Sequence, residues 1–398
     1  MLMWKLDSCR RRQRRGNKET RVAHQLHGQW YRGGTSKCWL FANDEMPADR
    51  VGIAQALAAA FGSGDERQLN GVGGASSTTS KAAVISPSAI PGIDISYLFA
   101  QVGIGASGVE LTSNCGNCAS AVALYAIQNG LVRPHGEITQ VRMVNENTRS
   151  VLVADVATPD KRIPSNGAET IPGSSMPGVP VNVFFENVDG ASTGELLPTG
   201  GAMTQLAFAD DFVGASCIDA GAPACFVEAA ELGMTGTESV AETRLRLGEL
   251  IAIRSAASVA MGLSAEDEVP SPAVPKIGLV AAPADYTSIS GETIPANAYD
   301  ISARMVSMFD PHPAIGITSA IALARDAFVE DSLVNSIIAD TVLAPVDESR
   351  EISIRIGTPV GVISCQVQLD ELGHVARLGV RRVARRIANA DIDLPLVG

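Results

Sequence analysis

Short apolar runs and longer apolar segments alternate along most of the chain. Residues 38–41, 82–87 and 97–102 are brief runs rich in β-branched, aromatic or small apolar residues, the pattern of strands. Residues 51–61 are Ala-rich and of helical length, with Pro47 just upstream. Residues 119–128 (ASAVALYAIQ) are apolar on nearly every face, and Asn129-Gly130 follows as a stop signal. A helix that is apolar all round is a buried one, and this one is too short to cross a bilayer. Strands are predicted again at 140–144, 150–156 and 179–185, with a Pro/Gly/Ser-rich surface loop over 157–178.

A second series opens near Phe212. It predicts a strand at 224–228, a helix over 238–261, a proline-rich connector, and strands at 277–281 and 301–305. A loop at 307–313 precedes another largely apolar helix over 314–328, and strands at 351–356 and 361–369 close the series. The order strand, loop, apolar helix therefore occurs twice, about half a chain apart. This predicts an α/β (α+β) protein of two similar lobes, each with strands around a buried helix. The turn-rich Leu197-Pro198-Thr199-Gly200-Gly201 places the division near Met203. The N-terminal lobe is then 28–203 and the C-terminal lobe 204–374, with 375–398 returning to the first.

Composition narrows the function classes. With 46% apolar and 19% charged residues, 398 residues can form two sizeable cores. Aromatics at 5% and a net charge of −12 argue against a nucleic-acid or anionic-membrane partner. No uncharged apolar run reaches the roughly 18 residues of a membrane span. Seven cysteines, an odd number in a long chain, suit a reducing compartment rather than a disulfide scaffold. Residues 1–27 form a basic extension outside the core. No apolar segment follows it as a secretory signal requires, so the reading is a solvated tail on a cytoplasmic protein, with a mitochondrial presequence as the alternative.

Four stretches could carry chemistry. Ser113-Asn114-Cys115-Gly116-Asn117-Cys118 lies directly before the first buried helix. A thiol there meets unpaired backbone N–H groups and the positive helix end, which lower a thiol's pKa and can hold a carboxylate. Gly116 permits close backbone approach, and Asn114 and Asn117 add donors. The alternative readings are a helix cap with incidental thiols, half a zinc site, or a redox CxxC. No second CxxC or HxxxH supports the zinc site, and the five histidines are scattered. Residues 71–81 form a Gly/Ser/Thr loop ending in Lys81; the loop lacks the order of a phosphate loop, and a lysine there could anchor an anion or simply be solvated. Arg32-Gly33-Gly34-Thr35-Ser36-Lys37 offers donors and flexible backbone, and residues 307–313, with Ser307 and His312, mirror the cysteine loop before the second buried helix.

Taken together these motifs resemble the PrpF family. RGGTSK at 32–37, GVGGASSTTSKAAVISPS at 71–88, SNCGNCASAV at 113–122, VNENT at 144–148, GELLPTGG at 194–201, PKIGLVAAP at 275–283 and MVSMFDPHPAIGITSAIA at 305–322 occur in the family's order. RVARRI at 382–387 is similar to its C-terminal signature. The resemblance implies a diaminopimelate-epimerase-like fold with the active site between two lobes. It implies isomerisation of an unsaturated di- or tricarboxylic acid of the aconitate, 2-methylaconitate, methylitaconate or oxalomesaconate type, without cofactor or metal. The family's catalytic lysine and cysteine fall on Lys81 and Cys115. Cys118 departs from many members, and the basic extension lies outside the resemblance.

Moving a C=C bond beside a carboxylate requires removing an allylic proton and returning one at another carbon, with donors aimed at the developing enolate. Lys81 and Cys115 are the expected proton-transfer pair, and Ser36, Asn114, Gly116, Asn117, Ser307 and His312 the expected substrate contacts. Arg32 and Arg304 could add charge. The expected partner is the small acid alone, with no nucleic acid or membrane, and the chain could be a homodimer. The alternatives are a cofactor-independent amino-acid racemase or epimerase, which in this fold uses one thiol from each lobe, and a non-catalytic CxxC protein. No cysteine occupies 307–313, which weakens the two-thiol reading.

Overall fold

The computed structural model describes residues 25–395, apart from 173, 209–210 and 346–349. Residues 1–24 of the basic extension, and with them the presequence alternative, lie outside the described residues, whereas 25–27, expected outside the core, open a core strand in which Leu26 is buried. The helices are α1 (Arg50–Phe61), α2 (Gly116–Gln128), α3 (Val240–Leu245), α4 (Leu247–Ala260), α5 (Ile317–Asp326), α6 (Leu333–Ile337) and α7 (Asp340–Leu343). No helix among the described residues is long and apolar enough to cross a membrane.

In the N-terminal half the strands close on themselves. Gln25–Gly33 and Ser36–Ala42 form a hairpin, and Ser36–Ala42 runs parallel to Lys81–Pro87. Lys81–Pro87 pairs with Ile95–Val102, which lies parallel to Ile138–Asn145. Val151–Ala157 and Ser174–Glu186 follow, and Val375–Asp393 pairs with both Ser174–Glu186 and Gln25–Gly33 to complete the ring. Helix α2 runs through this barrel, with every residue from Gly116 to Ile127 buried. Its alanines keep the helix thin enough for strands to pack on all sides.

Strand periodicity explains why these runs are apolar throughout. Cys38 and Leu40 face α2, whereas Trp39 and Phe41 face outward onto a second core under α1. Ala83 and Ile85 alternate with Ala82 and Val84 in the same way. Strands buried on both faces lose the apolar/polar alternation that marks a solvated sheet.

The C-terminal half repeats the plan without closing. Thr204–Phe208, Asp211–Ala220, Ala222–Glu228, Lys276–Ala281, Ile301–Ser307, Glu351–Thr358 and Gly361–Leu369 pair in that order. Gly361–Leu369 then pairs with the first residues of Val375–Asp393, so this long strand is the seam between the halves. Helix α5 lies inside, within the same core as α2, and α4 covers the outer face.

The structure corrects several predicted elements. The single helix over 238–261 is two helices, α3 and α4, meeting at Arg246; Ser239 and Glu242 form a capping box that starts α3. The helix over 314–328 begins at Ile317, after Gly316. The surface loop over 157–178 holds the strand Glu169–Ile171 and the start of Ser174–Glu186. The strands Gln25–Gly33, Thr204–Phe208 and Val375–Asp393 were not predicted.

Candidate active site

The two buried helices meet end to end. A Cβ added to Gly116, the first residue of α2, would lie 2.7 Å from the Cβ of Ile317, the first residue of α5. Both helix N-termini, with their unpaired N–H groups, therefore converge at the lobe junction. The 32–37 loop packs on the same point, because a Cβ at Gly33 would fall 2.0 Å from the Asn117 carbonyl oxygen. Only glycine permits that approach.

Cys115 caps α2, and its carbonyl accepts from the Ala119 N–H at 2.9 Å. Lys81 opens the strand Lys81–Pro87, and its Nζ donates to Gln101 Oε1 at 2.7 Å, a side chain directly opposite on the neighbouring strand. The ammonium also stands 5.2 Å from the centre of the Phe99 ring. Lys81 is close enough for its charge to act on Cys115, although the net shift of that thiol is upward. The contact with the Cys118 thiol and burial raise it, and outweigh the pull of Lys81 and the Cys118 N–H. The thiol lowered by a helix N-terminus, expected from the sequence, is thus corrected: at neutral pH Cys115 holds its proton. Cys118 is itself buried, between Cys115 and Cys38.

His312 arrives from the other lobe. Its backbone N–H donates to the Met305 carbonyl at 2.7 Å, and its Nδ1 accepts from the Ala314 N–H at 2.9 Å. That bond leaves the proton on Nε2. Burial, then the charges of Lys81, Lys276 and Arg382, hold the imidazole down at about 4, so it is a neutral donor at physiological pH. His312, Thr35 and Thr78 line one side of an inter-lobe cavity of about 970 Å³. Neither Lys81 nor Cys115 is among its lining residues.

The remaining expected contacts divide. Asn114 Oδ1 accepts from the Tyr97 hydroxyl at 2.9 Å, and its amide N–H groups have no acceptor among the described residues. Asn117 is fully engaged: its Nδ2 donates to Thr35 Oγ1 at 3.2 Å and to Ser36 Oγ at 3.5 Å, and its Oδ1 accepts from Arg382 Nε at 3.1 Å. Asn117 is therefore a bracket for the 32–37 loop and Arg382, while the buried Ser36 hydroxyl accepts from it. The backbone of Ser307 ends its strand opposite Asp310, while its side chain lies outside what is described. Arg304 is corrected outright: it is 1% exposed and donates to the carbonyls of Glu238, Ala303 and Gly357. Arg32 donates to Ser174, which lines the inter-lobe cavity, and to the Met176 carbonyl.

Two cations near the pair were missed. Arg382, in the seam strand, is 4% exposed, and its charge reaches both Cys115 and His312. Lys276, at the start of Lys276–Ala281, reaches His312, Lys81 and Cys115. Both lie in stretches that matched the family, but a basic residue beside an apolar strand reads as a solvated one. Among the described residues, no group of three His, Cys, Asp or Glu side chains could hold a metal ion.

Comparison with known proteins matches residues 24–395 to the family described as PrpF protein. The chain is 34% identical over 363 residues to a 3-methylitaconate isomerase of Eubacterium barkeri, covering 89% of this chain and 93% of that one. It is 34% identical over 365 residues to a (4E)-oxalomesaconate Delta-isomerase of Novosphingobium sp., covering 90% and 94%. Among solved structures, a methylitaconate-delta-isomerase superposes with a TM-score of 0.79 at 32% identity, over 94% of this chain and 97% of that one. The two strand-rich lobes and barrel-like core are those of the diaminopimelate-epimerase-like fold.

Proposed function

The chain belongs to the PrpF family, and on that premise we propose that it isomerises a small unsaturated di- or tricarboxylic acid by proton transfer between Lys81 and Cys115. The observation that supports this reading is that the Lys81 charge reaches both Cys115 and His312, while Cys115 caps the helix whose N-terminus meets that of α5.

The protonated state of Cys115 divides the labour. Cys115 is held as a thiol, so it is the group that delivers a proton. We assign abstraction of the allylic proton to Lys81, which acts as the free amine once its resting ammonium has released a proton to solvent. The electron pair of the broken C–H bond spreads over the C=C bond into the adjacent carboxylate. Backbone N–H groups at Gly116, the Asn114 amide and the His312 Nε2–H are placed to stabilise that charge. Cys115 protonates a different carbon, or the same one after rotation about the weakened bond. A thiolate and an ammonium remain, and the proton passes from Lys81 to Cys115 to restore the starting state. Ser36 and Asn117 position the loop and Arg382 around this centre.

Among the described residues, the second lobe offers no thiol at the start of α5 for a two-thiol epimerase mechanism. At the start of α5, facing Cys115, stand Gly316 and Ile317. Cys217 and Cys225 are buried in the outer core under α4, and Cys365 is buried within reach of the Arg382 charge. The same reading takes the lobes to divide near Met203 and the enzyme to work in the cytoplasm, where its free cysteines stay reduced. The test is turnover of aconitate, methylaconitate, itaconate-type and oxalomesaconate substrates under reducing conditions without added cofactor. Conversion of at least one supports the reading; inertness toward all, with racemisation of an amino acid, overturns it.

A further inference from the structure

Lys276 is a cation of the junction for which no hydrogen bond or ion pair among the described residues accounts. Along its strand, Ile277 and Leu279 face the outer core under α4, whereas Val280 faces the inner core around α5. A Cβ on Gly278 would meet Met305, a residue of that inner core. The two-residue period puts Lys276 on the same inner face. The register puts it at the junction end: Ile277 is opposite Val306, one residue before the loop that carries His312.

Each neighbouring group is already engaged or is repulsive. Lys81 and Arg254 carry the same charge, and Arg254 is engaged by the Pro272 and Met308 carbonyls at 3.1 and 2.5 Å. Cys115 and His312 are neutral. Glu110 is the one anion that attracts Lys276, yet it accepts from Ser113 Oγ at 2.5 Å and forms no ion pair with the lysine. Among the described residues Lys276 makes no hydrogen bond or salt bridge. It is half-buried, and desolvation with the nearby cations pushes its ammonium down to about 8. A desolvated cation without a counter-ion costs free energy unless a ligand supplies the anion.

We infer that Lys276 is a substrate-binding residue, the ammonium of the C-terminal lobe that receives a carboxylate of the acid while Lys81 and Cys115 of the N-terminal lobe move its proton. The inference rests on the isomerase reading and adds to it a division of roles between the lobes. One lobe supplies the chemistry, and the other fixes a second carboxylate, so a monocarboxylate would leave the lysine unmatched.

Calorimetric titration with propane-1,2,3-tricarboxylate, a saturated acid that cannot be isomerised, tests it. Lys276→Met removes the charge but keeps the length, and should weaken binding by about ten- to hundredfold, the value of a charge-assisted contact. Its thermal midpoint should match or exceed that of the wild type, and Lys276→Arg should restore part of the affinity. Titration of the wild type at pH 8.5 in buffers of different ionisation enthalpy should show proton uptake on binding, absent in the variant. Equal affinity of wild type and Lys276→Met overturns the inference while leaving the isomerase reading intact. Failure of the wild type to bind the acid overturns both. If Lys276→Met does not fold, wild-type binding without proton uptake still refutes the assignment.

Discussion

Gly116 and Ile317, the first residues of the two buried helices, stand so close that no side chain fits between them, with 2.7 Å from a Cβ on one to the Cβ of the other. The contact locks the N-terminus of α2, and so Cys115, against the second lobe. In a helix interior, alanine is more stable than glycine by roughly 0.5–1 kcal/mol. Here the clash reverses the sign, and Gly116→Ala should destabilise the protein by about 1–3 kcal/mol. Thermal unfolding should show a lower midpoint, and kcat should fall more than KM changes, because the displaced group is the proton donor.

Cys118 is the neighbour that raises Cys115 most. Replacing it with Ala removes that contact and leaves the pull of Lys81, so the Cys115 thiolate should form at lower pH. Iodoacetamide labelling of Cys115 across pH 7–10 should show a rate curve shifted to lower pH in Cys118→Ala. An unshifted curve would mean that burial alone sets the thiol.

His312 and Asp326 load stability in opposite directions. His312 is held at about 4, below its unfolded value, so the stability of its neutral form is present above about 6.5 and lost as pH falls toward 4. Wild-type kcat/KM should therefore show no limb near 6.5 from this residue. His312→Gln should flatten the acid side of the stability curve and lower kcat by about tenfold or more, as loss of one oriented donor does.

Asp326, at the end of α5, is fully buried; no well-aligned hydrogen bond reaches its carboxylate oxygens, and the nearby Ser216 and Ser332 hydroxyls and Val334 N–H offset the burial only in part. Burial raises it to about 7, so its stabilising protonated form is fully present below about 4 and is lost as pH rises through 7. Asp326→Asn should gain roughly 1–4 kcal/mol over the wild type at pH 8 and little at pH 4, read from denaturant midpoints.

The sequence revealed the two buried helices because their runs are apolar on every face, a signal that needs no partner. It missed Gln25–Gly33 and Val375–Asp393 because these strands carry polar and charged residues, among them His27, Arg32, Arg381 and Arg385, and are held by pairing between opposite chain ends. Cys115 was legible from its place before a helix, and Lys81 only through the family motif. The direction of the Cys115 shift was not legible, since burial and the Cys118 thiol outweigh the helix end. Arg304 looked available and proved buried, whereas Lys276 and Arg382 looked ordinary until the strands folded inward.

The division of roles between Lys81 and Cys115 is tested most directly by proton NMR of substrate incubated in D₂O with the wild type, Cys115→Ser and Lys81→Ala. The wild type should introduce deuterium as the double bond moves. Cys115→Ser should still exchange the allylic hydrogen while isomerisation falls by about 10²–10⁴-fold, the usual worth of one acid–base group, and Lys81→Ala should do neither. Exchange that survives in Lys81→Ala but is lost in Cys115→Ser would make the cysteine the base and contradict the account.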